Sequence, residues 1–125
     1  MAKQVALSEL QLDVLRILWE RGECSTLDVV EGLRKDRGLA HTTVSTLLTR
    51  LEKRGVVTSI RDGRQLLYKA RVTESKVRSS MVTGLIYTLF KGDAKALLAH
   101  LVDEDEIDAA DLERVRKLLK KEPNQ

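Results

Sequence analysis

The stretch Thr42–Ala70, TTVSTLLTRLEKRGVVTSIRDGRQLLYKA, constrains this chain more than any other. Val44, Leu47, Leu48 and Leu51 fall at i, i+3, i+4 and i+7, so a helix here must turn one apolar side inward. Its other side presents Thr42, Ser45, Thr46 and Thr49, all short hydrogen-bonding side chains, with Arg50, Lys53 and Arg54 toward its end. Gly55 follows where a helix stop calls for a left-handed residue. Val56 to Ile60 and Leu66 to Ala70 then read as strands around Asp62-Gly63, a dipeptide that favours a two-residue hairpin turn. A polar-faced helix running into a basic hairpin matches the reading helix and wing of a winged helix-turn-helix, whose reading helix lies in the DNA major groove.

The residues before it supply the supporting helices. Ser8 with Gln11 forms a capping box for a helix through about Glu20, with Leu10, Val14, Leu15, Leu18 and Trp19 inward. Ser25 with Asp28 opens a second helix from Thr26 to about Asp36, with Leu27, Val30 and Leu33 toward the core. Arg37-Gly38-Leu39-Ala40 is the turn into the third helix, which begins near His41. The expected fold is thus mainly α, with residues 1–72 forming three helices and a β-hairpin wing.

Charge is placed to suit that reading. The net charge is only +3, yet Arg34 to Arg71 holds ten Lys/Arg against three acids, a local net of +7. Asp103 to Glu113 holds seven acids and no base. The basic block coincides with the proposed reading helix and wing, where phosphates would lie. On this basis Thr42, Thr43, Ser45, Thr46, Thr49, Arg50, Lys53, Arg61 and Arg64 are the candidate DNA-binding residues, with double-stranded DNA the partner. Aromatics make up only 3% of the chain, so Leu, Val, Ile and Ala must build the interior. No apolar run is long enough to span a bilayer, and the first residues, MAKQVALSEL, lack the apolar core of a signal peptide; a cytoplasmic location is expected. The single cysteine, Cys24, fits a reducing compartment.

After Val72 the pattern is helical throughout. Thr73 caps a helix from Glu74 to about Phe90, Gly92 breaks it, and Ala94, Leu97, Leu98 and Leu101 mark a shorter one. Asp108 or Asp111 starts a last helix with Leu112, Val115, Leu118 and Leu119 inward. Residues 73–125 are too few to bury a core alone, yet carry wide aliphatic stripes. Val77, Met81, Leu85, Leu89, Leu97, Leu98, Leu101, Leu112, Val115, Leu118 and Leu119 are therefore the expected contacts of a helical dimerisation region.

With these residues the chain resembles the penicillinase and methicillin-resistance repressors, a bacterial family with an N-terminal winged helix and a C-terminal helical dimerisation region. The resemblance is carried by Ser8-Glu9-Leu10, Val14 through Trp19, Thr43 through Leu51, Lys53 and Gly55, and more loosely by Leu89 to Gly92 and Leu97 to Glu104. It implies a repressor that binds a pseudo-palindromic operator as a homodimer and is released when a membrane sensor protease pathway cuts its dimerisation region. By position the scissile bond is His100-Leu101, where members cut in response to β-lactams carry Asn-Phe. Positions that read bases in the family map to Thr42, Ser45 and Thr46, where some relatives have longer basic or amide side chains. Copper-sensing relatives carry paired Cys-x-Cys motifs, which this chain, with Cys24 alone, does not.

Other chemistry finds little support. His41 and His100 belong to no ligand-spaced cluster, so no metal site is expected. The hydroxyls of the third helix have no His-Asp arrangement beside them, and no Gly-rich phosphate loop occurs; neither an enzyme nor a cofactor is expected. Two other readings stay open: a winged helix serving as a protein-interaction module, and a regulator binding a small molecule in an apolar pocket with a few polar anchors.

Overall fold

A computed structural model describes residues 7–35 and 37–121. Asp36, where the second helix was expected to end, and the side chain of Leu119, expected in the last apolar stripe, lie outside the described residues. The chain forms two compact units, residues 1–82 and 83–125.

The first unit contains α1 (Glu9–Arg21), α2 (Thr26–Leu33), α3 (His41–Lys53), β1 (Val57–Asp62), β2 (Gln65–Ala70) and the start of α4 (Glu74–Phe90). Both expected capping boxes form. The Ser8 hydroxyl accepts from Gln11 N at 3.1 Å while Ser8 N donates to Gln11 Oε1 at 2.9 Å, and Ser25 and Asp28 repeat the arrangement at 3.1 and 2.9 Å. Each box satisfies two orphan amides at a helix start. At the far end of α3, Gly55 takes φ +82°. Its N–H donates to Glu52 O at 3.0 Å and Val56 N–H to Leu51 O at 3.1 Å, the paired bonds that stop a helix through a left-handed glycine.

The core is aliphatic, as the scarcity of aromatics requires. Val14, Leu15 and Leu18 of α1, Val29 and Leu33 of α2, and Val44, Leu48 and Leu51 of α3 are buried together with Val57, Tyr68 and Val77. Ile17 joins them; a Cβ on Gly32 would stand 2.8 Å from its Cδ1, so the bare glycine makes room for Ile17 of α1 against α2. That contact explains a difference from the sequence reading. Leu27, expected inward, is 55% exposed, and Val29 faces the core instead. Apolar spacing alone could not report a contact made by a residue with no side chain. Trp19, only partly buried, packs on the core and donates from Nε1 to Val72 O at 2.9 Å, fastening the end of the wing to α1.

The wing is a two-stranded antiparallel ladder from Val57↔Ala70 to Asp62↔Gln65. Its loop is therefore Gly63-Arg64, one residue beyond the expected Asp62-Gly63. Gly63 at φ +65° supplies the positive angle that a turn with glycine first requires, and Asp62 is drawn into the ladder. Cys24 adds a third, isolated bridge: its N–H donates to Tyr68 O at 2.9 Å and its carbonyl accepts from Tyr68 N at 2.7 Å. Its thiol is buried, and desolvation with the nearby Asp28 carboxylate pushes it up against a smaller opposing effect of Arg21.

The second unit holds the end of α4 with α5 (Ala94–Asp103) and α6 (Ala109–Lys121). Asp93 caps α5 through its carboxylate, and Asp108 and Asp111 cap each other's backbone at the start of α6. From Thr83 to Leu118 no residue is buried. Leu89 is 66% and Leu118 64% exposed, and Leu85, Leu98 and Val115 also face outward. Among the described residues no helix is long and apolar enough to cross a membrane.

The two faces of α2 give a direct check. Leu33→Ala should cost about 2–5 kcal/mol, the range for truncating a buried leucine, whereas Leu27→Ala should stay within about 0.5 kcal/mol as a surface change does. Urea titrations of the two variants decide it, and a large loss at Leu27 would restore the face expected from the sequence.

Candidate nucleic-acid interface

Helix α3 places its polar side chains by burying the opposite side. Val44, Leu48 and Leu51 have no exposed surface, and Leu47 packs partly against the same core. Thr42, Ser45, Thr46, Thr49 and Lys53 then fall on one outward row at i, i+3, i+4, i+7 and i+11. All are exposed except Ser45, which is half-buried. Thr43 and Arg50, also exposed, stand seven apart on the flank of that row.

Two hydroxyls are already committed. Thr46 Oγ1 donates to Thr42 O at 3.0 Å and Thr49 Oγ1 to Ser45 O at 2.9 Å. Each side chain thus spends its one O–H on its own helix and presents oxygen lone pairs and a methyl group outward. Such a surface accepts from exposed amino groups and packs against apolar ones; it has little to donate.

Arg61 on β1 and Arg64 in the hairpin loop are both exposed. They meet the start of α3 around a cleft of about 330 Å³, lined also by His41, Ser45, Thr26 and Gln65. Of the expected residues, the structure brings Ser45, Arg61 and Arg64 together here. Thr46, Thr49, Arg50 and Lys53 continue along α3 outside that lining. The sequence reading missed His41 and Thr26. His41 is the first residue of α3 and Thr26 the first of α2, and the shared position at a helix start was the signal available. Among the described residues no carboxylate lines the cleft. The one acid on α3, Glu52, is held toward β1, where it accepts from Ser59 Oγ at 2.7 Å.

Two other features bear on the site. Arg37 Nε donates to Asp13 Oδ2 at 2.9 Å, tying the turn before α3 back to α1. Partly exposed, at 33% and 21% of the two side chains, the pair contributes about 0–1 kcal/mol. A groove of about 170 Å³ between α1 and the start of α4, lined by Leu12, Trp19, Val77 and Met81, is smaller than the roughly 300–1,000 Å³ of typical small-molecule pockets.

A winged helix with an outward row of hydroxyls and a basic wing defines a class of regulatory protein rather than an enzyme. Residues 7–121 match the penicillinase repressor family, and the chain belongs to it. Its members are transcriptional repressors. The transcriptional regulator BlaI of Mycobacterium tuberculosis is 38% identical over 113 residues, covering 89% of this chain and 82% of that protein. The penicillinase repressor of Staphylococcus aureus is 25% identical over 117 residues, covering 94% and 93%. Among solved structures, the monomeric form of Bacillus licheniformis BlaI in complex with the blaP half-operator matches at 29% identity and a TM-score of 0.51, covering 61% of this chain and 93% of that one.

Proposed function

We propose that this chain represses transcription by binding a pseudo-palindromic operator as a homodimer, with α3 in the major groove and the wing on the flanking backbone. The observation that carries this is the hydroxyl row of α3, held outward by a fully buried opposite face and flanked by Arg61 and Arg64. Resemblance to a protein solved in complex with a half-operator supports operator binding. Thr42, Ser45 and Thr46 reach base edges; Arg50, Lys53, Arg61 and Arg64 neutralise phosphates. Because the Thr46 hydroxyl donates within the helix, its partners in the groove are bases that offer an amino group or a thymine methyl. The protein works in the cytoplasm, where its operator is.

The second unit supplies the pairing surface. A stretch with no buried residue and several outward leucines gains stability by covering them with another copy of itself. Leu85, Leu89, Leu98, Val115 and Leu118 carry that contact, helped by the half-buried Leu97, Leu101 and Leu112. Val77 has no part in it: only 1% exposed, it is spent on the core of the first unit, and Met81 packs against the same core. Release follows cleavage at His100-Leu101. That bond lies inside α5, so a protease reaches it only when the helix opens locally.

Base reading is tested at Thr46. Thr46→Ala should cost about 1–3 kcal/mol on the operator and far less on random DNA; equal losses on both would remove Thr46 from sequence recognition.

The phosphate contacts are tested by salt. Each one lost reduces the slope of log affinity against log salt by about 0.9, so Arg61→Ala with Arg64→Ala should flatten it by about 2 while base preference stays. An unchanged slope places the wing away from the duplex.

Pairing is tested in the full chain with Leu89→Glu, an exposed position at which the fold tolerates charge. Sedimentation should report a monomer that keeps half-site binding and loses the gain in affinity that linking two half-sites provides. A Leu89→Glu protein that remains dimeric and binds the full operator as before would put the pairing surface elsewhere.

A further inference from the structure

His41 stands apart from the residues that the repressor reading uses. It is the first residue of α3, exposed, and it lines the 330 Å³ cleft together with Arg61 and Arg64. The charged or titratable groups facing it are Arg61 from β1, Arg64 from the hairpin loop and the buried Tyr68 phenol from β2. Helix α2 contributes Ser25, Thr26 and Leu27, none of which carries charge. Three basic side chains thus share the lining of a concave space that, among the described residues, has no anion in it.

We propose that His41, with Arg61 and Arg64, seats a DNA backbone phosphodiester in this cleft, and that the imidazole takes up a proton as the duplex binds. The inference rests on the operator-binding reading and deepens it. An anion beside an imidazole favours its protonated form, and imidazole is the side chain that changes charge in the neutral range. In the free protein nothing in the cleft supplies that anion; in the complex the phosphodiester does. One proton from the buffer adds to the bare ring nitrogen, which then donates to a phosphate oxygen, so both ring nitrogens carry hydrogen in the bound state. The phosphodiester stays anionic throughout, and the complex carries one more proton than its separate partners. Affinity therefore rises as pH falls, by up to tenfold per pH unit wherever the complex holds one more proton than its separate partners. Arg61 and Arg64 keep their charge over the same range, so the pH dependence belongs to His41 alone.

The test uses the full chain and operator DNA from pH 6 to pH 8 at constant ionic strength. Wild type should weaken progressively toward pH 8. His41→Asn, which keeps a donor but cannot take the charge, should lose that dependence and match the weak, high-pH affinity of wild type. His41→Lys should bind tightly and evenly across the range. His100→Asn, changing the other histidine, which contacts Phe90 at 6.1 Å between ring centroids, should behave as wild type. A pH-independent wild type, or a His41→Asn protein that keeps the dependence, overturns the inference while leaving operator binding intact. Absence of operator binding at every pH overturns the repressor reading itself, and this inference with it. Calorimetry in two buffers of different ionisation heat gives an independent count: one proton taken up by wild type on binding, none by His41→Asn.

Discussion

Everything on the outer surface of α3 depends on how completely its inner surface is buried. Val44, Leu48 and Leu51 retain no contact with solvent, and they are held from both sides, by α1 and α2 and by the strand that follows Gly55. A helix of 13 residues is marginal by itself in water, so tertiary packing rather than intrinsic preference keeps it formed. This matters more here than in an average helix. Thr42, Thr43, Ser45, Thr46 and Thr49 are poor helix formers that compete for backbone hydrogen bonds. The chain tolerates that concentration because the aliphatic row beneath leaves them nowhere else to go, and two of the hydroxyls bond within the helix instead of opposing it.

Much of this was legible in the residues. Capping boxes at Ser8 and Ser25, the stop at Gly55 and the run from Glu74 to Phe90 were all visible because each is written in local chemistry. What failed was information held between elements. On α2 the expected Leu33 is buried and Val30 packs on the core, but Leu27 faces out; the contact of Gly32 with Ile17, made without a side chain, leaves no trace in a hydrophobic pattern. The hairpin turn lies one residue later because ladder register chose the positive angle of Gly63 as the first loop position, and Asp62-Gly63 alone is compatible with either choice. The cleft at His41 required the wing, α2 and α3 to be placed together. The hydroxyl row needed only periodicity; the concave space at its end needed the fold.

The division of apolar surface between the two units is the other organising fact. With so few aromatics, the chain spends Val, Leu and Ile on closing the first unit and, among the described residues, fully buries none of those beyond Val82. Val77 marks the changeover, since one helix carries it in a closed core and Leu89 in the open. In the proposed dimer another copy covers that surface, which makes the unit's stability and its assembly one equilibrium that depends on protein concentration. On that proposal, a cut in the second unit shifts the equilibrium without altering any residue of α3 or the wing.

Short reading side chains also dictate what the rest of the interface must be. A threonine or serine reaches a base edge only when the helix backbone lies deep in the groove, whereas an arginine or glutamine can reach from a distance. Depth brings the backbone of α3 close to phosphates on both walls, and that approach must be held at each end of the helix. Arg50 and Lys53 lie at its C-terminal end, and the wing arginines and His41 gather at its N-terminal end, the two places where the proposed complex needs an anchor. Two anchors at opposite ends fix tilt as well as depth, which a single basic cluster could not. In the proposed complex, removing the wing arginines leaves the C-terminal anchor and the hydroxyl row in place, so affinity and its salt slope fall while base preference stays with the row.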